Sequence, residues 1–314
     1  MRRIAWVLVA AALSVRSMAV QTQQQAGRDL SWAFPVMNGT LPAEEPGPKS
    51  VPGSTKTYTP QQIDDLLNPP DWFPDEHPAP PPIVQKGHAD ALACGSCHLM
   101  SGLGHPESAD LTGMTAAYIT RQMTDFKSGV RKDSARMNTI AKDVSDDEAR
   151  QAAEWFAALK PAAWTKVLEG AAPPKTMVVG GRMRVLLPAG GTEPIGDRII
   201  TVPQDLERAR RRDPHIGFTA YAPVGSIAKG KALVETGGSG RTIACAICHG
   251  DALKGLGNVP RLAGQHPIYI ARQLYLFKDG TRKGADGQLM MKPVAQLTDE
   301  DIVAISAYIA SLAP

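Results

Sequence analysis

Two stretches of the chain carry apolar residues at helical spacing behind the same kind of polar start. Ala152, Trp155, Phe156 and Leu159 follow Ser145-Asp-Asp-Glu148, and Ile302, Ile305, Ile309 and Leu312 follow Thr298-Asp-Glu-Asp301. Steps of three and four put each set on one face of a helix. A hydroxyl followed three residues later by a carboxylate is the capping box or its Asp variant. Each stretch therefore predicts a helix with one buried side. Between them, from Thr176 to Val202, short β-branched runs (MVV, RVLL, RIITV) alternate with Gly-Gly and Pro and predict a small hairpin-like connector.

The two helices belong to a duplication. YITRQMTDFKSGVRK from Tyr118 matches YIARQLYLFKDGTRK from Tyr269 at a displacement of 151, and the final helices match at 153. Outside the repeat the composition changes. Residues 35–82 hold 13 of the 26 prolines and exclude continuous helix or central strand, apart from one short helix that Thr59-Pro60-Gln61 caps, running up to Leu67. This arm carries Trp72 and Phe73, and is read either as a strap lying on the first repeat or as a docking strip for a partner. Arg208, Arg210, Arg211 and Arg212 read as a solvated basic loop, or as a patch steering an acidic partner.

All four cysteines of the 314-residue chain lie in two copies of one pattern, Cys94-Gly-Ser-Cys97-His98 and Cys245-Ala-Ile-Cys248-His249, at the same displacement of 151. Arg2 and Arg3, the apolar run Ile4–Leu13 and the small residues around Ser17-Met18-Ala19 read as a signal peptide over 1–19, which predicts export to the periplasm. An oxidising compartment commits thiols to disulfides or to other chemistry. A redox dithiol or a zinc site leaves the histidine after each second cysteine unexplained. Cysteines at i and i+3 with an adjacent imidazole suit covalent haem attachment: two thiols for the two vinyl groups and a proximal nitrogen for the iron. A six-coordinate electron carrier then needs a second axial ligand, and methionine raises the potential. Met137 is the one methionine between the matched blocks of the first half. In the second half the distance to the final helix favours Met290, whereas aligning Ile140-Ala141 with Val294-Ala295 favours Met291, and Met291 is preferred.

On these motifs, with the Pro260-Arg-Leu-Ala-Gly turn, the Tyr-to-Arg helix and a methionine before a capped final helix, both halves resemble class I cytochrome c domains. The whole resembles the periplasmic diheme cytochromes c. The resemblance implies a mainly α fold: a proline-rich arm (20–82), cytochrome c domain 1 (83–162), a β-containing connector (163–222) and cytochrome c domain 2 (223–314). It implies that Ile227 to Glu235 packs on the last helix, with a weaker equivalent near Ile83 to Ala91. It also implies that the carbonyl of Pro260 orients the proximal imidazole, with Ala109 as the departure in the first half.

The expected cofactors are two covalently attached haems c, held by Cys94, Cys97, Cys245 and Cys248, with His98 and Met137, and His249 and Met291, on the irons. The expected function is single-electron transfer with redox partner proteins: a periplasmic dehydrogenase, an oxidase or another cytochrome. No bond chemistry on a substrate is expected; the alternatives are a diheme peroxidase and an obligate cytochrome subunit of a dehydrogenase complex. A net charge of +3 and 5% aromatic content give no case for nucleic acid. Membrane attachment requires the first segment to stay uncleaved. His77, His88, His105, His215 and His266 are spare.

Overall fold

A computed structural model describes residues 29–133 and 135–314, so the signal peptide expected over 1–19 lies outside the described residues. Trp32–Pro314 form one compact unit. The arm contains helix α1 (Pro60–Ile63), started by a Thr59/Gln62 capping box, and leads into α2 (Pro82–Gln85) at the start of the first repeat. Helix α1 stops short of Leu67 because the Asp65 carboxylate accepts from the amides of Leu67 (2.8 Å) and Asn68 (3.2 Å), a local turn that competes with helix. Val51, Ile63 and Trp72 form the arm's own apolar cluster.

The first repeat comprises α3 (Gly95–His98), α4 (Ala116–Ser128), α5 (Met137–Asp143) and α6 (Asp146–Ala158). Ser145 and Glu148 form the expected reciprocal cap of α6, whose Ala152, Trp155 and Phe156 pack with Tyr118 and Ile119 of α4 and with Ile83 and Val84 of α2. Helix α2 is a single turn because Pro80-Pro81-Pro82 leads into it and Gly87 follows close behind.

The connector contains β1 (Thr165–Glu169), β2 (Thr176–Val178), β3 (Arg184–Leu186), β4 (Ile200–Pro203), helix α7 (Leu206–Arg210) and β5 (Phe218–Ala222). Strands β2 and β3 are the expected hairpin. Strand β5 is the centre of a second sheet, parallel to β1 with Thr165 opposite Phe218, and antiparallel to β4 with Ile200 opposite Tyr221.

The second repeat comprises α8 (Ser226–Thr236), α9 (Ala246–His249), α10 (Pro267–Lys278), α11 (Gly287–Val294) and α12 (Asp299–Ser311). Helix α12 is buried along nearly its whole length, with α8 and α10 packed against it. Gly230 sits where α8 crosses α12: a Cβ there would run into the Ala304 carbonyl oxygen and come within 2.6 Å of the Tyr308 Cβ.

The arginines of 208–212 are not a solvated loop. Arg208 pairs with Asp213 (2.6 Å), Arg210 and Arg211 face Glu44 of the arm, and Arg211 donates to the Ser50 carbonyl at 3.1 Å. Its own carbonyl accepts from Trp72 Nε1 at 2.7 Å. The arm therefore lies along the molecule as a strap, held by the connector. At its far end the Trp155 indole of α6 donates to the Pro78 carbonyl at 2.9 Å.

Candidate functional site

Each Cys-x-x-Cys-His motif forms one helical turn. Cys94 and Cys245 stand at the N-terminal boundary in right-handed helical conformation, and the amides of His98 and His249 close the turn onto their carbonyls at 3.0 and 2.9 Å. Within such a turn the first and fourth residues share a face and the fifth follows beside them. A left-handed residue ends each turn, Leu99 (φ 59°) or Gly250 (φ 76°).

The loops that follow share their principal backbone bonds although their sequences differ. Gly104 N donates to the His98 carbonyl at 2.9 Å and Gly255 N to the His249 carbonyl at 2.8 Å. Leu111 N to Gly102 O and Leu262 N to Leu253 O are both 2.9 Å. These loops bring a backbone carbonyl to each imidazole: His98 Nδ1 to Ala109 O and His249 Nδ1 to Pro260 O, each 2.9 Å. A carbonyl only accepts, so Nδ1 carries the proton and Nε2 keeps its lone pair for a metal. Ala109 thus supplies the same contact as proline, because the contact is made by backbone. Gly104, at φ 66°, is needed beside it, since a Cβ there would strike the Ala109 carbonyl oxygen.

Burial holds both imidazoles below the ordinary histidine range, keeping them neutral. Burial, with the neighbouring cysteine second, pushes Cys94 up to about 12 and Cys245 up to about 11. A redox dithiol needs the opposite shift, toward thiolate.

In the second half a cavity of about 450 Å³ opens beside the motif, lined by Cys245, Cys248, His249, Tyr269, Leu274, Phe277 and Met290, among others. The structure brings Met290 to it and leaves Met291, the preferred candidate, 40% exposed and outside the lining. Met290 lies one turn before the buried Val294 and shares its inward face. Residues three and four before Val294 fall on the same helical stripe, so the alignment with Ile140 did not separate the two.

In the first half Met137 starts α5 and packs against the core. Its amide donates to the Asp133 carboxylate at 3.1 Å, and the neighbouring Asn138 donates to the carbonyls of Phe126 and Arg131, both at 2.8 Å. Asn138 had no signal in the sequence, since its place in the second half is taken by Met291.

The cavity also reaches Met114, Tyr118 and Gln122 of the first half, and there the repeats meet in a pseudo-two-fold arrangement. Lys132 N donates to Thr281 O and Lys283 N to Val130 O, both 2.9 Å. Arg131 donates to Gln122 (2.7 Å), Gln273 (3.0 Å) and Tyr269 (3.2 Å); Arg282 donates to Gln273 (2.9 Å), Gln122 (3.0 Å) and Tyr118 (3.0 Å). Both arginines are buried, and neither forms an ion pair among the described residues. Arg131 Nε is buried without a hydrogen-bond partner among the described residues. The Asp125 carboxylate on the same cavity wall is within electrostatic reach of both arginines, which leaves this trio one net positive charge, suited to an anionic group inside the cavity. Elsewhere the interface is neutralised: Arg261 pairs with Asp110 and Arg272 with Glu107, both at 2.5 Å.

The spare histidines are tied up in other contacts. His77 meets Asp71 (3.2 Å), His88 meets Glu148 (2.8 Å) and His215 meets Glu76 (2.8 Å). His105 meets Ser108 at 3.2 Å, and His266 meets the Leu103 carbonyl at 3.1 Å. None of the described helices is long and apolar enough to cross a membrane.

The family described as Cytochrome c matches this chain over residues 227–313. Cytochrome c4 of Pseudomonas aeruginosa is 28% identical over 231 residues, covering 72% of this chain and 87% of its own length. The thiosulfate dehydrogenase electron acceptor of Thiomonas intermedia is 26% identical over 225 residues, covering 71% of this chain and 79% of its own. Cytochrome c-554(548) of Halomonas halodenitrificans is 40% identical over 68 residues, 21% of this chain and 82% of its own.

Proposed function

The chain belongs to the cytochrome c family, and from that premise we propose that it is a periplasmic single-electron carrier that takes electrons from a dehydrogenase and passes them to a downstream acceptor. The observation that carries this reading is the duplicated attachment turn, in which both imidazoles are held by a carbonyl at 2.9 Å with Nε2 left free. Two haems c, attached through Cys94 and Cys97 and through Cys245 and Cys248, supply the one-electron couples when bound.

The residues present fit those groups. His98 and His249 would hold the irons through nitrogen, and Met137 and Met290 are proposed to hold them through sulfur. Arg131 and Arg282, with their tyrosine and glutamine partners, would hold carboxylate groups of the cofactor at the junction of the repeats. Apolar walls such as Leu274, Phe277 and Ile305 exclude water from the second site. Neutral, carbonyl-bound imidazoles keep their basicity directed at the metal.

The partner class rests on a relative whose name makes it an electron acceptor of a dehydrogenase. Sulfur ligands from Met137 and Met290 would leave neither iron the open position a peroxidase needs. The test is mass spectrometry of the exported protein together with a redox titration. Two haem masses and two one-electron waves are expected. Met137→Ala should lower one potential and let that iron bind carbon monoxide while the other wave stays in place. If both waves stay in place, the ligand assignment is wrong.

A further inference from the structure

The two attachment turns have matching backbones and opposite surfaces. In the second half Ile247 is 68% exposed within the motif itself, and Ile243 (47%) and Leu289 (74%) line the cavity while remaining exposed, which puts them at its mouth. Leu256, 59% exposed, packs beside Gly250 at the end of the turn. At the repeat displacement of 151, Ile247 becomes Ser96, which is fully buried, and Ile243 becomes Leu92, which packs on the first core.

The chain itself covers the first turn. Arg212, held at φ 57°, donates to the Ser96 carbonyl, and Ala93 N donates to Leu66 O of the arm at 3.1 Å. Pro69 lies 3.6 Å from where a Gly95 side chain would begin. Trp72, bonded to Arg211, ties the arm to the connector over this region.

Resting on the electron-carrier reading, we propose that the protein has a single partner port. The apolar mouth around Ile243, Ile247, Leu256 and Leu289 docks a redox protein whose own apolar contact has an acidic rim, while the arm and Arg212 close the equivalent face of the first repeat. The acidic partner is argued from charge. Exposed Lys254 and Lys292 stand beside Leu256 and Met291 in the chain, against exposed Asp251, while Arg241 is paired with Asp301 and Asp286 with Arg121. An apolar centre with a charged rim is the anatomy of a transient protein interface.

The test uses the holoprotein and, as probe, a gold surface carrying a mixed carboxylate- and methyl-terminated monolayer, read by surface plasmon resonance and by voltammetry on the same film. Lys254→Asp and Lys86→Asp change net charge equally, one beside each turn, so bulk electrostatics cancels between them. Lys254→Asp and Ile247→Asp should each weaken adsorption tenfold or more, and Lys86→Asp less than twofold. Equal losses from Lys254→Asp and Lys86→Asp, or no loss from Ile247→Asp, would overturn the single port. So would sedimentation as a dimer that Ile247→Asp abolishes, since the face would then belong to a second copy. Absence of any reversible wave in the unsubstituted film would instead defeat the electron-carrier reading itself.

Discussion

An imidazole whose Nδ1 proton is held by a carbonyl has one nitrogen left for a metal, and the loops after each motif exist to place that carbonyl. The resemblance implied Pro260 as the orienting residue and set Ala109 at the matching position as a departure whose carbonyl could still serve; both carbonyls lie at 2.9 Å, because a side chain's identity says nothing about a contact made by backbone oxygen. The methionines differ. Met137 stands alone in its segment, whereas Met290 and Met291 are neighbours whose helical phases both fit the alignment, and it is Met290 that lines the cavity, which is the ground for proposing it. Met290→Ala is expected to lower the second potential and open that iron to carbon monoxide. Met291→Ala, at a residue 40% exposed, should leave both potentials and the carbon monoxide spectrum unchanged. Redox titration of the two variants checks it, and the reverse result would return the ligand to Met291.

The helices α6 and α12 were legible because their caps and apolar stripes are local, and α8 spans Ser226–Thr236 around the expected Ile227 to Glu235. Strands β1 and β5 escaped notice because their pairing joins residues more than fifty positions apart, and neither TKVLE nor FTAYA announces a partner. What the α8–α12 contact requires is set at Gly230. Helix propensity favours alanine over glycine in a helix interior by about 1 kcal/mol, so Gly230→Ala would stabilise the protein if the site were open. Here the new methyl meets backbone oxygen of Ala304, which has no flexible side-chain end to move aside. Overpacking of that kind costs roughly 1–3 kcal/mol, and it should win. Thermal unfolding of the holoprotein should show Gly230→Ala melting lower than the parent. A higher melting temperature would mean that the helices separate without cost.

At the scale of the molecule, the arm and the basic segment 208–212 take their meaning from each other: Glu44, Ser50 and Trp72 hold the arginines, and no local pattern joins them. His266 is the point where all three parts meet. Its Nε2 donates to the Leu103 carbonyl of the first repeat at 3.1 Å, and its ring lies 5.6 Å from Trp164 and 5.9 Å from Phe218 of the connector. Its Nδ1 is 3.4 Å from the Thr165 hydroxyl. Burial, with the nearby Arg261 adding to it, holds His266 down to about 4 from an ordinary 6.5, against the opposing pull of the Leu103 bond. Above pH 6.5 the folded and unfolded forms both keep this ring neutral and its contribution is fully present. As the pH falls from there toward 4, the unfolded chain takes up a proton that the folded one refuses, and stability declines by roughly 2–4 kcal/mol across that window. Below about 4 both forms are protonated and this contribution falls no further. His266→Gln keeps a donor for Leu103 and removes the titration, so denaturant unfolding at pH 7.5 and pH 4.5 should show a markedly smaller acid loss in the variant than in the parent. Equal losses would place the acid sensitivity elsewhere, and the junction of the three parts would have to be held by groups other than a neutral imidazole.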